Sequence, residues 1–230
     1  MTEVDNHLEN KAVQFQADGC PLEGILTIPD NAQGIVILVD EQLNSRQIPR
    51  NMHVAKELRS IGLATMLFDL YTTEEQGGGP DNCDVQFDIA RLGRRTASAV
   101  EWLASQPFTQ KFPLGLLGSG SGAAASLMAA VECSDLVRAV VTRSGRPDLA
   151  EQVLQRIQAP TLMIVGSQDE VVLSVNQRAL EKMSPDGPPK RIVIVPGASH
   201  HFEEAGTLDQ SARMAREWFQ LYFKDEAPAQ

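Results

Sequence analysis

Cysteine is scarce in this chain. Its three cysteines, Cys20, Cys83 and Cys133, are odd in number and far apart. They form neither a disulfide framework nor a CxxC metal knuckle. No His/Cys/Asp cluster has metal-ligand spacing, so no metal is expected. Basic residues are in deficit, with 20 Lys and Arg against 30 Asp and Glu, a net charge of −10 and a sequence pI near 4.9. A surface of that sign repels phosphate backbones and anionic bilayers, which argues against nucleic-acid partners and membrane docking. A secretory leader is not visible either, because the opening Met1-Thr2-Glu3-Val4-Asp5 is acidic and polar. A reducing cytoplasm is the expected location.

An unbroken apolar run is also missing. The longest uncharged stretch, Phe112 to Val131, would suit a membrane span by length, but it holds Pro113 and four glycines. It reads instead as strand, turn and helix. No internal repeat and no linker divides the 230 residues, so one domain is expected. Apolar residues at 43% and charged residues at 22% argue against a disordered chain.

What is present is alternation. The strand-like runs are Gly34 to Asp40, Leu63 to Leu70, Leu114 to Leu117, Val137 to Thr142, Thr161 to Gly166 and Arg191 to Val195. Helical spacing appears over Pro49 to Ile61, Val85 to Gln106, Ala123 to Val131, Asp148 to Ile157, Ser174 to Met183 and Leu208 to Phe223. Within Val85 to Gln106, for instance, Ile89, Leu92, Ala97, Val100 and Leu103 fall on or near one face. Ala12 to Gln16 and Gly24 to Ile28 suggest an antiparallel hairpin at a sheet edge. Such alternation predicts an α/β fold, a mostly parallel doubly wound sheet with helices on both faces. Residues 1–10, the Gly-rich loop Thr72 to Asn82 and the tail Asp225 to Gln230 are expected to be flexible. Ligands on such sheets bind beyond the carboxyl ends of the strands, so chemistry is sought there.

The turn after the third of these strands, Gly115 to Ala123, is the most informative segment. A strand enters a tight small-residue turn that opens a helix. A phosphate cradle and a nucleophile elbow both use this geometry. The phosphate reading is weak. The GxxxxGK[ST] lysine is missing, and the third glycine of GxGxxG would fall on Ala123 or Ala125. No cofactor is therefore expected. The elbow reading gains from Asp169 and His200, each just after a later strand and 49 and 31 residues further on in turn. Nucleophile, acid, histidine is the chain order of an α/β-hydrolase.

The sequence resembles the dienelactone-hydrolase-like group of α/β-hydrolases. The residues that carry the resemblance are Ser45-Arg46 with Pro49-Arg50-Asn51, the run Gly115 to Leu127, Arg143 to Leu149, Ala159 to Leu162, and Ala198-Ser199-His200 with Phe202-Glu203-Glu204. The resemblance implies an α/β-hydrolase fold from about the first strand to Phe223, and a small-molecule ester, lactone or related ligand.

Two departures stand out. The family's Gly-x-Ser-x-Gly elbow, laid without gaps, covers Gly118-Ser119-Gly120-Ser121-Gly122, so the nucleophile position falls on Gly120. After the Gly34 to Asp40 strand the family usually carries His-Gly, and a backbone N–H just beyond helps hold the oxyanion. Here the loop reads Asp40-Glu41-Gln42. A carboxylate there opposes the charge that builds on a substrate oxygen. Losing one oxyanion donor costs about 10²–10³ in rate, and losing a triad serine on the order of 10⁶ in kcat.

Three functional readings follow. In the first, ester or lactone hydrolysis is lost or very weak and the pocket binds a ligand. In the second, the register slips by one and Ser121 is the nucleophile of a Ser121-His200-Asp169 triad; small neighbours at Ser119 and Ala123 permit it. In the third, His200 and Asp169 act as a base without a covalent nucleophile. Plainer roles exist for each residue. Ser121 could simply start a helix, Asp169 could cap one, and His201 could be mistaken for His200, although the position right after Ala198-Ser199 favours His200. Arg143 and Arg146 could line the pocket rim, but pairing with surface acids is the more common role and is expected; Asp40 and Glu41 could be a new acid–base pair, but ion pairs with Arg46 or Arg50 are the safer expectation.

Overall fold

The computed structural model describes residues 8–77 and 88–224. Eight strands form one sheet in the order β1-β2-β4-β3-β5-β6-β7-β8. They are β1 (Leu8–Ala17), β2 (Cys20–Pro29), β3 (Gly34–Asp40), β4 (Leu63–Phe68), β5 (Leu114–Gly120), β6 (Val137–Gly145), β7 (Thr161–Gly166) and β8 (Lys190–Val195). The pairs from β4 through β8 are parallel, while β1–β2 and β2–β4 are antiparallel. This is the mostly parallel α/β sheet that the alternation predicts, in the α/β-hydrolase arrangement that the resemblance implies.

Burial explains the lack of period-two patterning in the centre. Every residue of β3, β4 and β7 is buried, as befits parallel strands covered on both faces. Successive side chains of β3 still point to opposite layers. Ile35 and Ile37 join Leu92, Val100, Leu116 and Leu127 under α3 (Ile89–Ser105) and α4 (Ser121–Glu132). Val36 and Leu38 join Val54, Leu58, Leu117 and Phe219 under α1 (Pro49–Arg59) and α6 (Thr207–Phe223). The remaining helix, α5 (Glu170–Lys182), packs near β7 and β8.

Local chemistry moves several boundaries. The edge hairpin is longer than the sequence suggests, and Glu9 and Asn10 pair with Ile28 and Thr27. Within the stretch 1–10, expected to be flexible, Glu9 and Asn10 thus lie in the hairpin, because β2 offers partners out to Pro29; residues 1–7 lie outside the described part. Asp18 and Gly19, both at positive φ, close the two-residue turn whose twist suits a hairpin. The loop expected over Thr72 to Asn82 begins as a helical turn, α2 (Thr73–Gly77). There Thr72 N–H donates to Glu75 and Glu75 N–H donates to Thr72 Oγ1, a reciprocal cap. Buried Arg95 then clamps Glu75 at 2.7 Å. The rest of that loop, residues 85–87 of the expected long helix, and the tail 225–230 lie outside the described residues.

Helix α3 starts at Ile89 because Asp88 accepts from Arg91 N–H at 2.9 Å. Asp169 likewise starts α5 four residues before the expected Ser174. The segment expected as an α-helix near Asp148 is a 3₁₀ run, Pro147–Arg156, broken at Ala150.

Phe219 is fully buried, and its ring lies close under the backbone of β5 at Gly115. Phe219→Ala is expected to destabilise the protein by about 3–5 kcal/mol in chemical denaturation. A loss under about 1 kcal/mol would contradict this packing.

Candidate functional site

The carboxyl ends of β3, β5, β6, β7 and β8 deliver Glu41, Gly120, Ser144, Asp169 and His200 to one side of the sheet. The junction between β5 and α4 comes first. The strand runs through Gly120, three residues beyond the expected Leu117, and the helix begins at Ser121, two before the expected Ala123. Gly120 carries the turn, at φ 54° and ψ −128°, a region that other residues enter only under strain. Ser121 sits in the first helical turn, 7% exposed. Gly122 lies so near β3 that a Cβ on it would run into the Val39 carbonyl, which presses the start of α4 onto the strand that carries Asp40.

Glu41 occupies the space above this turn. A Cβ on Gly120 would overlap the Glu41 carboxyl carbon and Oε1, and would lie 2.6 Å from Oε2. Ser121 N–H donates to Glu41 Oε2 at 2.6 Å. The bond is charge-assisted, and the carboxylate sits at the positive end of a helix. Glycine at 120 and glutamate at 41 are therefore one spatial arrangement, since the carboxylate fills the volume that a side chain at 120 would need.

His200 and Asp169 meet as their spacing suggests. His200 Nδ1 lies 2.5 Å from Asp169 Oδ2, with the imidazole 43% and the carboxylate 12% exposed. The other oxygen of Asp169 caps α5, accepting from Val172 N–H at 3.3 Å. Asp169 thus caps the helix and holds the His200 ring at once. The histidine loop is fixed from two sides. Glu204 accepts from Ser199 N–H at 2.9 Å, and Ser144 Oγ donates to the His200 carbonyl at 2.7 Å. Ser144 holds a positive φ of 45° to do so. His201 rests edge-on against His200 with ring centroids 4.8 Å apart. Among the described residues no hydrogen bond joins His200 to Ser119, Ser121 or Glu41.

Behind Glu41 lies a buried polar chain. Asp40, 3% exposed, accepts from Gln42 N–H at 3.0 Å and from Asn51 Nδ2 at 3.1 Å. Arg143 donates to Ser119 Oγ at 3.2 Å and reaches Asn51 Oδ1 at 3.4 Å. Burial pushes the Arg143 guanidinium down to about 10, against the pull of Asp40. That is still far above neutral, so it remains a cation. Two expectations need correction. Arg143 is buried and bonded to Ser119 and Asn51 instead of paired with a surface acid, because β6 runs through Gly145 and carries it under the surface. Arg46 does not pair with Asp40 or Glu41. It takes Asp69 at 2.7 Å and Glu23 at 3.0 Å, and Arg50 makes no ion pair with either carboxylate among the described residues. Arg146 does pair outward, with Asp148 at 2.7 Å.

Two spaces open beside this chemistry. A cleft of about 850 Å³ is walled by Leu43, Tyr71, Ile89, Leu149 and Val172, with Glu41 and His200 also facing it. A second cavity of about 20 Å³ lies among Ser119, Arg143, Glu41 and His200. That is room for about one water molecule. Burial, with the nearby Glu41 charge, pushes the Tyr71 phenol up to about 12, so it stays protonated. Sequence reasoning missed Tyr71, Val172 and Ser144 as parts of the site. Tyr71 and Val172 lie beyond the carboxyl ends of β4 and β7, and only that position could have pointed to them, while Ser144 is the penultimate residue of β6 and stands in the Arg143 to Leu149 run. Asn51 stands in the Pro49-Arg50-Asn51 motif, but its contact with Asp40 spans a loop.

The Gly120–Glu41 arrangement is testable by a double-mutant cycle. Gly120→Ala should cost about 2–4 kcal/mol, from the positive φ and from displacing the carboxylate off Ser121 N–H. In a Glu41→Ala background the same change should cost about 1 kcal/mol less or better. Strict additivity in denaturation would show that the two residues do not share that space.

Comparison with known proteins agrees with this geometry at the level of fold and family. The model of the dienelactone hydrolase family matches residues 22–224. A Mycobacterium tuberculosis (strain H37Rv) protein, provisionally named a phosphoribosyl transferase, is 44% identical over 217 residues, 94% of this chain and 47% of that protein. The chain thus spans about half the length of that curated relative. The crystal structure of a dienelactone hydrolase from Anabaena variabilis has a TM-score of 0.89 at 43% identity, covering 94% of this chain and 98% of that one. Est1E from Butyrivibrio proteoclasticus, at 15% identity, shares the fold with a TM-score of 0.75 over 93% and 99% of the two chains. The chain belongs to the dienelactone hydrolase family.

Proposed function

We propose that this protein binds a small ester, lactone or related molecule in the cleft, with hydrolysis through an acyl-serine lost or very weak. The observation that carries this reading is the Glu41 carboxylate, seated over Gly120 and bonded to Ser121 N–H. An acyl transfer needs a nucleophile at the turn and a donor for the developing oxyanion. Here the apex has no side chain, and a donor beside it already serves a fixed negative charge. A substrate oxygen gaining charge there would face repulsion instead of stabilisation. A triad through Ser121 has less support. Its backbone N–H is engaged, it lies in the first helical turn, and it makes no hydrogen bond with His200 among the described residues.

The purified protein is expected to resist a fluorophosphonate probe and to leave p-nitrophenyl acetate at the buffer rate. Stoichiometric labelling of Ser121, read by peptide mass spectrometry, would overturn the reading.

A second reading keeps base chemistry. It is favoured by the 2.5 Å His200–Asp169 pair, which orients an imidazole at the cleft. Any turnover of this kind should fall at least about 100-fold in His200→Ala. Turnover that persists in that variant would remove His200 from the chemistry.

A further inference from the structure

We infer that β8 is the interface of a symmetric dimer, in which the edge strands of two copies of this chain pair antiparallel about a two-fold axis. The inference is independent of what the cleft binds.

β8 ends the sheet, so it has a neighbour on one side only. Along a parallel strand, the N–H and C=O of one residue point to the same side, and successive residues alternate. Thr161 N–H donates to the Pro189 carbonyl at 2.9 Å, and Ser167 N–H donates to the Val195 carbonyl at 3.0 Å. Odd-numbered residues therefore serve β7. Lys190, Ile192 and Ile194 turn three N–H and three C=O groups outward, and none of these has a hydrogen-bond partner among the described residues.

Sheet edges are ordinarily shielded by proline, a bulge or charge. The opposite edge, β1, carries Glu9, Lys11, Gln14 and Gln16 along its length. Ile192-Val193-Ile194 in β8 has no proline, no charge and no bulge against β7. Ile194 is 43% exposed. Such an edge is a template for another strand.

The strand is complementary to itself. Only even-numbered residues can exchange bonds across the edge, so the two-fold axis passes by residue 191, 192 or 193. An axis at Arg191 sets two guanidinium groups face to face, which is unfavourable. An axis at Val193 sets Lys190 against the partner's Pro196, which has no N–H to give. An axis at Ile192 uses every outward group. It pairs Ile192 with the partner's Ile192, Lys190 with the partner's Ile194 and Arg191 with the partner's Val193, so no like charges stand opposite. The chain as a whole is acidic, at −10. The antiparallel arrangement lays the cationic start of each strand, Lys190-Arg191, along the end of its partner that leads into the acidic pair Glu203-Glu204. A second copy thus supplies matching backbone groups, apolar contact and opposite charge together.

The test is analytical ultracentrifugation of the full chain across a dilution series. A species of twice 25.1 kDa is expected, dissociating on dilution. Ile192→Pro removes an outward N–H from each copy and spares the β7 ladder, because edge strands admit proline on their free side. It should raise the dimer dissociation constant by more than about 10-fold, since two hydrogen bonds are lost. Ile194→Lys sets a charge against the partner's Lys190 and should weaken the dimer in the same direction. Circular dichroism melting checks that both variants are folded. Hydrogen exchange should show the amides of Lys190, Ile192 and Ile194 protected in concentrated protein and open in dilute protein. A monomer at every concentration, a dimer that Ile194→Lys leaves intact, or amides of Ile192 and Ile194 that exchange equally at both concentrations would each overturn the proposal.

Discussion

One hydrogen bond organises the working end of this molecule, from the first N–H of α4 to the carboxylate of Glu41. It can exist only because the residue before that N–H has no side chain. The turn at Gly120 is sharp, the start of α4 is pressed onto β3, and Glu41 extends from the end of that same strand. The sheet therefore brings an acid to a place where this architecture ordinarily exposes a nucleophile. A helix N-terminus welcomes negative charge, so the carboxylate is stabilised there in the resting protein.

The rest of the structure serves that arrangement by holding the strand ends rigid. Parallel strands buried on both faces fix where β3 and β5 stop to within the packing of their side chains. The polar chain of Asp40, Asn51 and Arg143 ties the base of the Glu41 loop to β6. Arg143 is charged and almost wholly buried, at 5% exposure. Such a group is tolerated only where partners offset its desolvation, and the Asp40 charge acts on it in that sense.

Much of this was legible in the sequence. The strand–helix alternation gave the sheet, because buried parallel strands leave continuous aliphatic runs such as Gly34 to Asp40. The spacing of Asp169 and His200 gave a pair that does form. The absences at Gly120 and at Asp40-Glu41 were readable one at a time. Their spatial identity was not, because Glu41 and Gly120 lie 79 positions apart and only the register of β3 on β5 brings them together. Boundaries failed where side chains cap backbone: Asp169 pulled α5 forward, and Thr72 with Glu75 made a helical turn of an apparent loop. The burial of Arg143 was hidden for a similar reason, since a motif rich in arginine and glycine reads as surface.

Asp169 has a consequence of its own. Its two oxygens serve different masters, one the imidazole of His200 and the other the opening turn of α5. A carboxylate is planar and rigid, so swinging one oxygen away from the ring also swings the other away from Val172. Movement of the histidine ring is thereby geared to fraying of a helix that reaches from the cleft to Lys182. Amide exchange at the start of that helix should carry a record of what the imidazole is doing.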